Sequence, residues 1–179
     1  MRLVPPNAAH PLGTDELGRD MLSRLIYGCR VSLSVGVVSQ LVAIVVGFVL
    51  GACAGYFGGL IDGLVSFAIQ VFSSFPFLLF SLVVMYALGP GLVNPYVALA
   101  LLMWTTPARL VRGEVMRLKR AEYVLSCIVS GGSSWRVIIK HLLPNCVSTL
   151  VVAITLGIPN AILCEASLSF LGLGVQPPT

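Results

Sequence analysis

Charged residues are scarce in this sequence. Only 10% of its 179 residues are Asp, Glu, Lys or Arg, whereas an ordinary soluble domain carries about 25%. Hydrophobic residues make up 57% of the chain, and the mean hydropathy is +0.96. This composition excludes a typical soluble domain and indicates a membrane protein. The 11 basic residues outnumber the 7 acidic ones, an excess that in membrane proteins usually marks cytoplasmic loops, so we expect no nucleic-acid partner.

The residue patterns of catalytic and metal sites are missing too. The five cysteines and two histidines lie far apart, so neither a zinc site nor a disulfide framework is predicted. No phosphate loop, GxSxG or HExxH motif occurs. Ser167 and Ser169 lie near Glu165, but that segment has no histidine to serve as the base of a hydrolase. We therefore expect no catalytic residue, no metal site and no enzymatic activity, and interpret Glu165 as a satisfied interfacial carboxylate or a pore-lining group.

Long uncharged runs predict membrane helices. Residues 31–57 contain no charge and are long enough to cross a hydrocarbon core of about 30 Å. Further spans are predicted at 64–88, 96–110 and 146–164, with the third continuing past Arg109 as a helix that leaves the membrane. Pro76 interrupts the second span, and its kink could serve a moving pore wall or simply be tolerated. We expect an all-α, polytopic membrane bundle with about four transmembrane helices.

Glycines recur every fourth residue in the first of these spans, at Gly47, Gly51 and Gly55. This small-xxx-small spacing allows two helix backbones to approach closely in lipid. The alternative is composition alone, because glycine is common in membrane helices. The spacing favours a helix-packing face.

Residues 1–30 are predicted to form an extracytoplasmic lead and an interfacial helix, with residues 31–179 as the transmembrane domain. Thr14 and the two acids after it are typical of a helix start, and the leucines that follow form one apolar face. A loop is the alternative, because Gly18 interrupts the pattern.

A polar, basic island at 122–145 separates two apolar runs. Its apolar residues recur at helical spacing on either side of Gly131 and Gly132, which predicts two short amphipathic helices joined by a turn and ending at Leu143 and Pro144. Such short helices need a partner surface to bury their stripes. Seven of the 11 basic residues lie in or beside the island, which places it in the cytoplasm: Arg109, Arg112, Arg117, Lys119, Arg120, Arg136 and Lys140.

Polar residues inside the apolar runs are candidates for a translocation path. They are Gln70, Ser73, Ser74, Thr105 and Thr106, together with Glu165.

The island resembles the cytoplasmic loop of ABC importer permeases, in which a small pair precedes a glycine and then Leu-Pro. Here Ser126 and Cys127 precede Gly131, and Leu143-Pro144 follow at the family spacing. Two further stretches resemble the dipeptide, oligopeptide and nickel branch, and specifically the C-type partner of its two permease subunits. They are HPLGTDELGRD at 10–20 and the run 165–174 followed by Gln176-Pro177-Pro178. Leu125 departs from the family, which usually has an acidic residue there.

The resemblance implies a permease subunit of an ATP-driven importer that moves peptides across the cytoplasmic (inner) membrane of a prokaryote as a multi-pass protein. Nickel or a metal chelate is the alternative cargo. A non-transporting structural fragment is another alternative, because the family has six spans and about four are predicted here. Expected partners are a second permease subunit in a heterodimer, two ATPase subunits, an extracytoplasmic substrate-binding protein and membrane lipid.

This chain is expected to bind no cofactor, since ATP and magnesium belong to the ATPase. The resemblance assigns residues 113–145 as an ATPase-coupling loop in which apolar side chains, including Ile128 and Ile138, act as knobs in a groove of the ATPase. Its site residues are Glu122, Tyr123, Val124, Ser126, Cys127, Gly131, Trp135, His141, Leu143 and Pro144.

Overall fold

The computed structural model describes residues 3–89, 91 and 93–172, and within these residues the regular structure is helical apart from one isolated bridge between Thr14 and Asp20. The motif at 176–178 therefore lies outside the described residues. The helices are α1 (Met21–Phe57), α2 (Gly59–Ser74), α3 (Phe77–Leu88), α4 (Asn94–Met103), α5 (Thr105–Leu118), α6 (Glu122–Val129), α7 (Ser134–Val137) and α8 (Leu143–Phe170), with a π-helical turn at Ile138–Leu142 joining α7 to α8.

The first helix does not begin at Thr14, so that part of the prediction is wrong. Asp20 caps α1 by accepting a hydrogen bond from the Ser23 backbone N–H at 2.8 Å. The Asp15 carboxylate accepts the Arg19 N–H at 2.8 Å, and this bond is the main cause that lowers the pKa of Asp15 to about 2. Aspartate side chains that bond nearby backbone groups in this way compete with helix formation. Residues 14–20 therefore form a turn, and the helix starts at Met21.

Among the described residues, no separate interfacial helix precedes the first span. Helix α1 runs without a break through residue 30 for 37 residues in total, because no proline separates the predicted interfacial and membrane segments and Gly28 alone does not end the helix. The segment expected to lie along the membrane is therefore the first turns of a single long helix.

In the part of the chain that the structure describes, two helical stretches are long and apolar enough to cross a membrane, Met21–Phe57 and Ser134–Phe170. A third span is obtained if α2 and α3 are counted together, although they are bent by 92°. This bend stands where a kink at Pro76 is predicted: Phe75 adopts an extended backbone, as expected for a residue before proline. The predicted third span at 96–110 is divided at Trp104 into α4 and α5, and α5 continues past Arg109 to Leu118.

The predicted fourth span, 146–164, lies inside one helical rod of 37 residues, Ser134–Phe170. Leu143 and Pro144 stand where the π-helical turn passes into α8. Proline lacks an N–H and its ring collides with the carbonyl four residues earlier in a regular helix. A wider turn relieves the collision, and the Leu143 N–H accordingly bonds the Ile138 carbonyl, five residues back.

Helix α1 is the centre of the packing and contacts α2, α4, α5 and α8. Its glycines at 47, 51 and 55 lie directly against α5. A Cβ on Gly51 would come within 2.5 Å of the Ala108 carbonyl oxygen, and one on Gly55 within 2.8 Å of the Arg112 carbonyl oxygen. The structure thus places this repeat where two backbones touch and no side chain fits.

Candidate functional sites on the loop and between the helices

The turn between α6 and α7 is built from two opposed helix caps. The Gly132 N–H bonds the Cys127 carbonyl at 2.9 Å and the Gly131 N–H bonds the Ile128 carbonyl at 3.0 Å, which is the Schellman pattern at a helix C-terminus. Ser133 then caps α7 by accepting the Arg136 N–H. The predicted bend is therefore present, and one residue separates the end of one cap from the start of the next helix.

The two glycines are required for different reasons. Gly131 has φ +79°, a conformation that side chains disfavour, but it has no neighbour within 4 Å of a Cβ position. Gly132 instead has no room, because a Cβ there would lie 2.6 Å from the Cys127 sulfur. Glycine is favoured at 131 by the backbone conformation and at 132 by the lack of space for a Cβ.

One face of the loop is buried against the chain's own helices. Val124 and Leu142 are fully buried, and Ile138 is 3% exposed. They belong to a cluster that includes Val115 and Cys146. The assignment of Val124 and Ile138 as knobs for a partner is therefore corrected, because these side chains already form the core between α5 and α8.

The opposite face of the loop is apolar and exposed. Val129 is 87% exposed and Trp135 is 66% exposed. We call this the exposed loop surface, and its members are Leu125, Ile128, Val129, Trp135 and Ile139. Leu125, which replaces the acid usual in the family, lies on it and makes it more apolar.

The remaining predicted loop residues support the fold of this segment. Glu122 opens α6, and its carbonyl accepts the Ser126 hydroxyl at 2.8 Å. The Tyr123 ring lies beside His141, with 6.2 Å between ring centroids. Leu143 packs at the edge of the core cluster, and Pro144 is exposed.

Two cationic side chains tie the base of the loop to the bundle. The Arg112 guanidinium binds both carboxylate oxygens of Asp62 in the first turn of α2, with Nη2 at 2.7 Å from Oδ2. Lys119 donates to the Tyr56 carbonyl in the last turn of α1 and lies 5.3 Å from the ring centroid of the same residue. A cation at a helix C-terminus also compensates the helix dipole. Helices α1, α2 and α5 are therefore fixed to one another beside the loop.

A cavity of about 440 Å³ lies between α1, α5 and α8, near the start of α3. Its floor is buried and its rim is exposed. The floor includes Gln40, Leu102, Thr105, Pro107 and Ala153, and the rim includes Thr106, Leu110, Val152, Leu156 and Asn160.

Two of the polar residues suggested from sequence, Thr105 and Thr106, line this cavity. Gln40 and Asn160 line it as well and were not predicted. Gln40 had a usable signal, since it is the one amide side chain in the uncharged run 31–57. Asn160 had a weaker one, as an amide that follows Pro159 inside the last apolar run.

The other predicted path residues lie elsewhere. Gln70, Ser73 and Ser74 are exposed on α2 and do not line the cavity. The Ser74 hydroxyl bonds the Gln70 carbonyl at 2.7 Å, and Arg109 donates to the Ser73 hydroxyl at 3.2 Å. The structure does not bring these three residues together with Gln40 or Glu165.

Glu165 is 5% exposed and is paired on both oxygens. Ser32 of α1 donates to Oε2 at 2.9 Å, and Ser169 of α8 donates to Oε1 at 2.7 Å. Between the two interpretations offered by the sequence, this geometry is that of a satisfied carboxylate that joins α1 to α8.

The profile of the family described as "Binding-protein-dependent transport system inner membrane component" matches residues 44–179. This chain belongs to that family. The matched residues include the whole loop, the glycine repeat and all of the cavity lining except Gln40.

Named permeases align with nearly the whole chain. The chain is 46% identical to the dipeptide transport system permease protein DppC of Bacillus subtilis, over 98% of this chain and 55% of that protein. It is 42% identical to the glutathione transport system permease protein GsiD of Pectobacterium atrosepticum, over 97% of this chain and 58% of that protein. It is 37% identical to the oligopeptide transport system permease protein OppC of B. subtilis, over 97% of this chain and 57% of that protein. The chain thus spans a little over half the length of these relatives.

Membership of this family places the apolar helices in a membrane. A binding-protein-dependent permease is an inner membrane component, and the apolar helices α1 and α8 make this chain a multi-pass membrane protein.

Proposed function

We propose that this chain is a permease subunit of an ATP-driven importer that carries peptides across the cytoplasmic membrane by alternating access. The family supports the transport role, and the names of the relatives, which refer to dipeptides, oligopeptides and glutathione, favour peptides over a metal chelate. The observation that carries the proposal is the exposed loop surface, an apolar face held outward by a doubly capped turn.

The exposed loop surface suits a groove on an ATPase subunit. Trp135 and Val129 project from a segment whose other face is anchored in the core, so the surface is already ordered before binding. Ordering in advance reduces the entropic cost of association, and a large aromatic residue is the usual anchor of such contacts. ATP and magnesium would bind to the ATPase, and the basic residues around the loop would steer its approach.

The loop is connected to the cavity by a single helical rod. The rod that begins at Ser134 contains Trp135 near one end and the cavity residues 152–164 farther along. Helices transmit displacements as rigid bodies, and shear of packed helices is a known form of switching. A movement imposed on the loop by nucleotide-driven closure would therefore move one wall of the cavity relative to α1.

The direct test replaces the two most exposed members of the exposed loop surface, in the full protein together with its partner subunits. Val129→Asp combined with Trp135→Ala should reduce ATPase co-purification and peptide-stimulated ATP hydrolysis by at least about tenfold, because an anchor residue and an apolar contact are lost together. Phe170→Ala is the matched control, since Phe170 is 92% exposed at the other end of the rod. Undiminished ATPase binding and peptide uptake by the loop variant would contradict the proposal.

A second test uses the conformation of Gly131. Gly131→Ile should abolish substrate-coupled ATP hydrolysis while membrane insertion continues, because a β-branched residue at φ +79° is strained. Gly131→Asn is the control, because asparagine tolerates this conformation and has open space there. Near-native peptide uptake by Gly131→Ile would show that the bend is not part of the docking site.

A further inference from the structure

Gln40 is a buried amide with one oxygen that no protein group satisfies. Its side chain is 2% exposed, and its Nε2 donates to the Ala153 carbonyl at 3.2 Å. A carbonyl can only accept, so this bond fixes which end of the amide faces α8. Oε1 then has no hydrogen-bond partner in the part of the chain that the structure describes.

Gln40 belongs to the floor of the cavity, and its orphaned oxygen is covered by α8 beside that floor. Gln40 stands near the middle of the 37-residue helix α1, far from the polar ends of the span. The amide lies against the bare backbone of Gly157, where a Cβ would come within 2.4 Å of Oε1. The glycine on α8 therefore provides the space that the Gln40 amide on α1 occupies. Near the middle of a membrane span an unpaired polar group is energetically unfavourable.

The chemistry of the cavity selects the kind of ligand. The described residues that line it carry no charge, so neither an ammonium nor a carboxylate finds a counter-ion there. The hydroxyl of Thr105 is already used on the Leu102 carbonyl, whereas Thr106 and Asn160 stand at the rim. The remaining lining is apolar, and the volume of about 440 Å³ is in the range of small-molecule sites. The ligand group that fits is a neutral donor flanked by apolar or variable side chains.

We infer that the movement of α8 away from α1 uncovers Gln40 Oε1, which then accepts a hydrogen bond from a backbone amide N–H of the peptide as it crosses the membrane, so that Gln40 is a recognition residue in the path. This rests on the proposed transport of peptides and adds a residue and a contact to it. The backbone N–H is the one donor that peptides of different sequence share. A contact of this kind therefore admits many side chains while still requiring an amide.

The test measures discrimination between an amide and an ester. Uptake of a dipeptide and of the matching depsipeptide, in which an ester oxygen replaces the amide N–H, is compared in proteoliposomes that contain the permease, its partner permease, the ATPases and the binding protein. The binding protein discriminates equally with every permease variant, so a change in the amide-to-ester ratio reports on the permease. Gln40→Met should lower the ratio of dipeptide uptake to depsipeptide uptake by about three- to tenfold, which is the effect of losing one neutral hydrogen bond.

Two further measurements separate this contact from a structural role. Gln40→Met should retain or raise the melting temperature, because it removes a buried unsatisfied oxygen while conserving volume. Gln70→Met is the matched control, since Gln70 is exposed on α2 and outside the cavity lining, and its ratio should not change.

The outcomes are distinguishable. A lowered ratio in Gln40→Met, with unchanged Gln70→Met, supports the contact. An unchanged ratio in Gln40→Met, or an equal change in Gln70→Met, overturns it even if peptides are transported normally. Absence of peptide uptake by the unmodified assembly would instead overturn the proposed function.

Discussion

Helix α1 meets its two main neighbours in opposite ways. Towards α5 the small residues are on α1, and Gly47, Gly51 and Gly55 bring its backbone against the bulky side chains and carbonyls of α5. Towards α8, Gly36 of α1 also lies against Ile162, but beside the cavity the small residue is on the neighbour, Gly157, and α1 presents a polar amide, Gln40. The first seam is closed, whereas the second borders a cavity.

The difference shows how one long apolar helix can pack tightly against one neighbour and line a cavity beside another. The closed seam is held at its loop end by Lys119, which donates to the Tyr56 carbonyl in the last turn of α1, and the pair between Arg112 and Asp62 joins α5 to α2 nearby. The seam with α8 is held by the hydrogen bond between Ser32 and Glu165 near the start of α1. We expect the α1–α5 unit to move as one body and α8 to move against it.

The closed seam should be the most sensitive to added volume. Gly51→Ala should lower the free energy of unfolding by about 1–3 kcal/mol, because its Cβ meets a backbone carbonyl that cannot rotate away. Gly28→Ala in the same helix has nothing within 4 Å of the new Cβ and should stabilise by up to about 1 kcal/mol through helix propensity. Melting temperatures in detergent distinguish the two, and a Gly51→Ala protein as stable as Gly28→Ala would refute close backbone contact.

Loss of the ion pair between Arg112 and Asp62 should have the next largest effect on stability. Arg112→Met should destabilise by about 1–2 kcal/mol, because it leaves the partly buried carboxylate of Asp62 without its two charge-assisted bonds. Arg117→Met is the control on the same helix: its partner Glu114 is three residues away and the arginine side chain is 69% exposed, so a loss below about 0.5 kcal/mol is expected. Equal losses would mean that Arg112 does not join α2 to α5.

The sequence predicted the closed seam better than the open one, and the reason is physical. A glycine every fourth residue is a regular pattern, and backbone contact is its direct consequence. The cavity depends on which face of α1 meets α8, and no local pattern specifies that face. Polarity within an apolar run therefore predicts the exposed Gln70 and Ser73 as path residues and does not predict Gln40. Tertiary packing decided between equally polar residues.

The loop shows the same division. The bend at Gly131 follows from two adjacent glycines before a serine, a local signal for a helix end and a new cap. No local signal separates the apolar residues of the loop that enter the core from those on its surface, because both faces of α6 and α7 carry apolar residues. Val124 is inside and Leu125 is outside, and that distinction is set by where α5 and α8 lie.

The smallest of the three effects concerns the seam that we expect to slide. Ser32→Ala removes the α1 donor to Glu165 but leaves Ser169 on its other oxygen, so a loss of about 1 kcal/mol is expected. Ser167→Ala, whose hydroxyl bonds a carbonyl of its own helix at 2.8 Å, is the control and should change stability by less than about 0.5 kcal/mol. Because the bond crosses a seam that must open and close, Ser32→Ala should also alter the rate of peptide uptake at saturating substrate, which the control should not. A stability loss without any change in uptake would place Ser32 in a static contact, and the moving boundary would then have to be sought elsewhere than between α1 and α8.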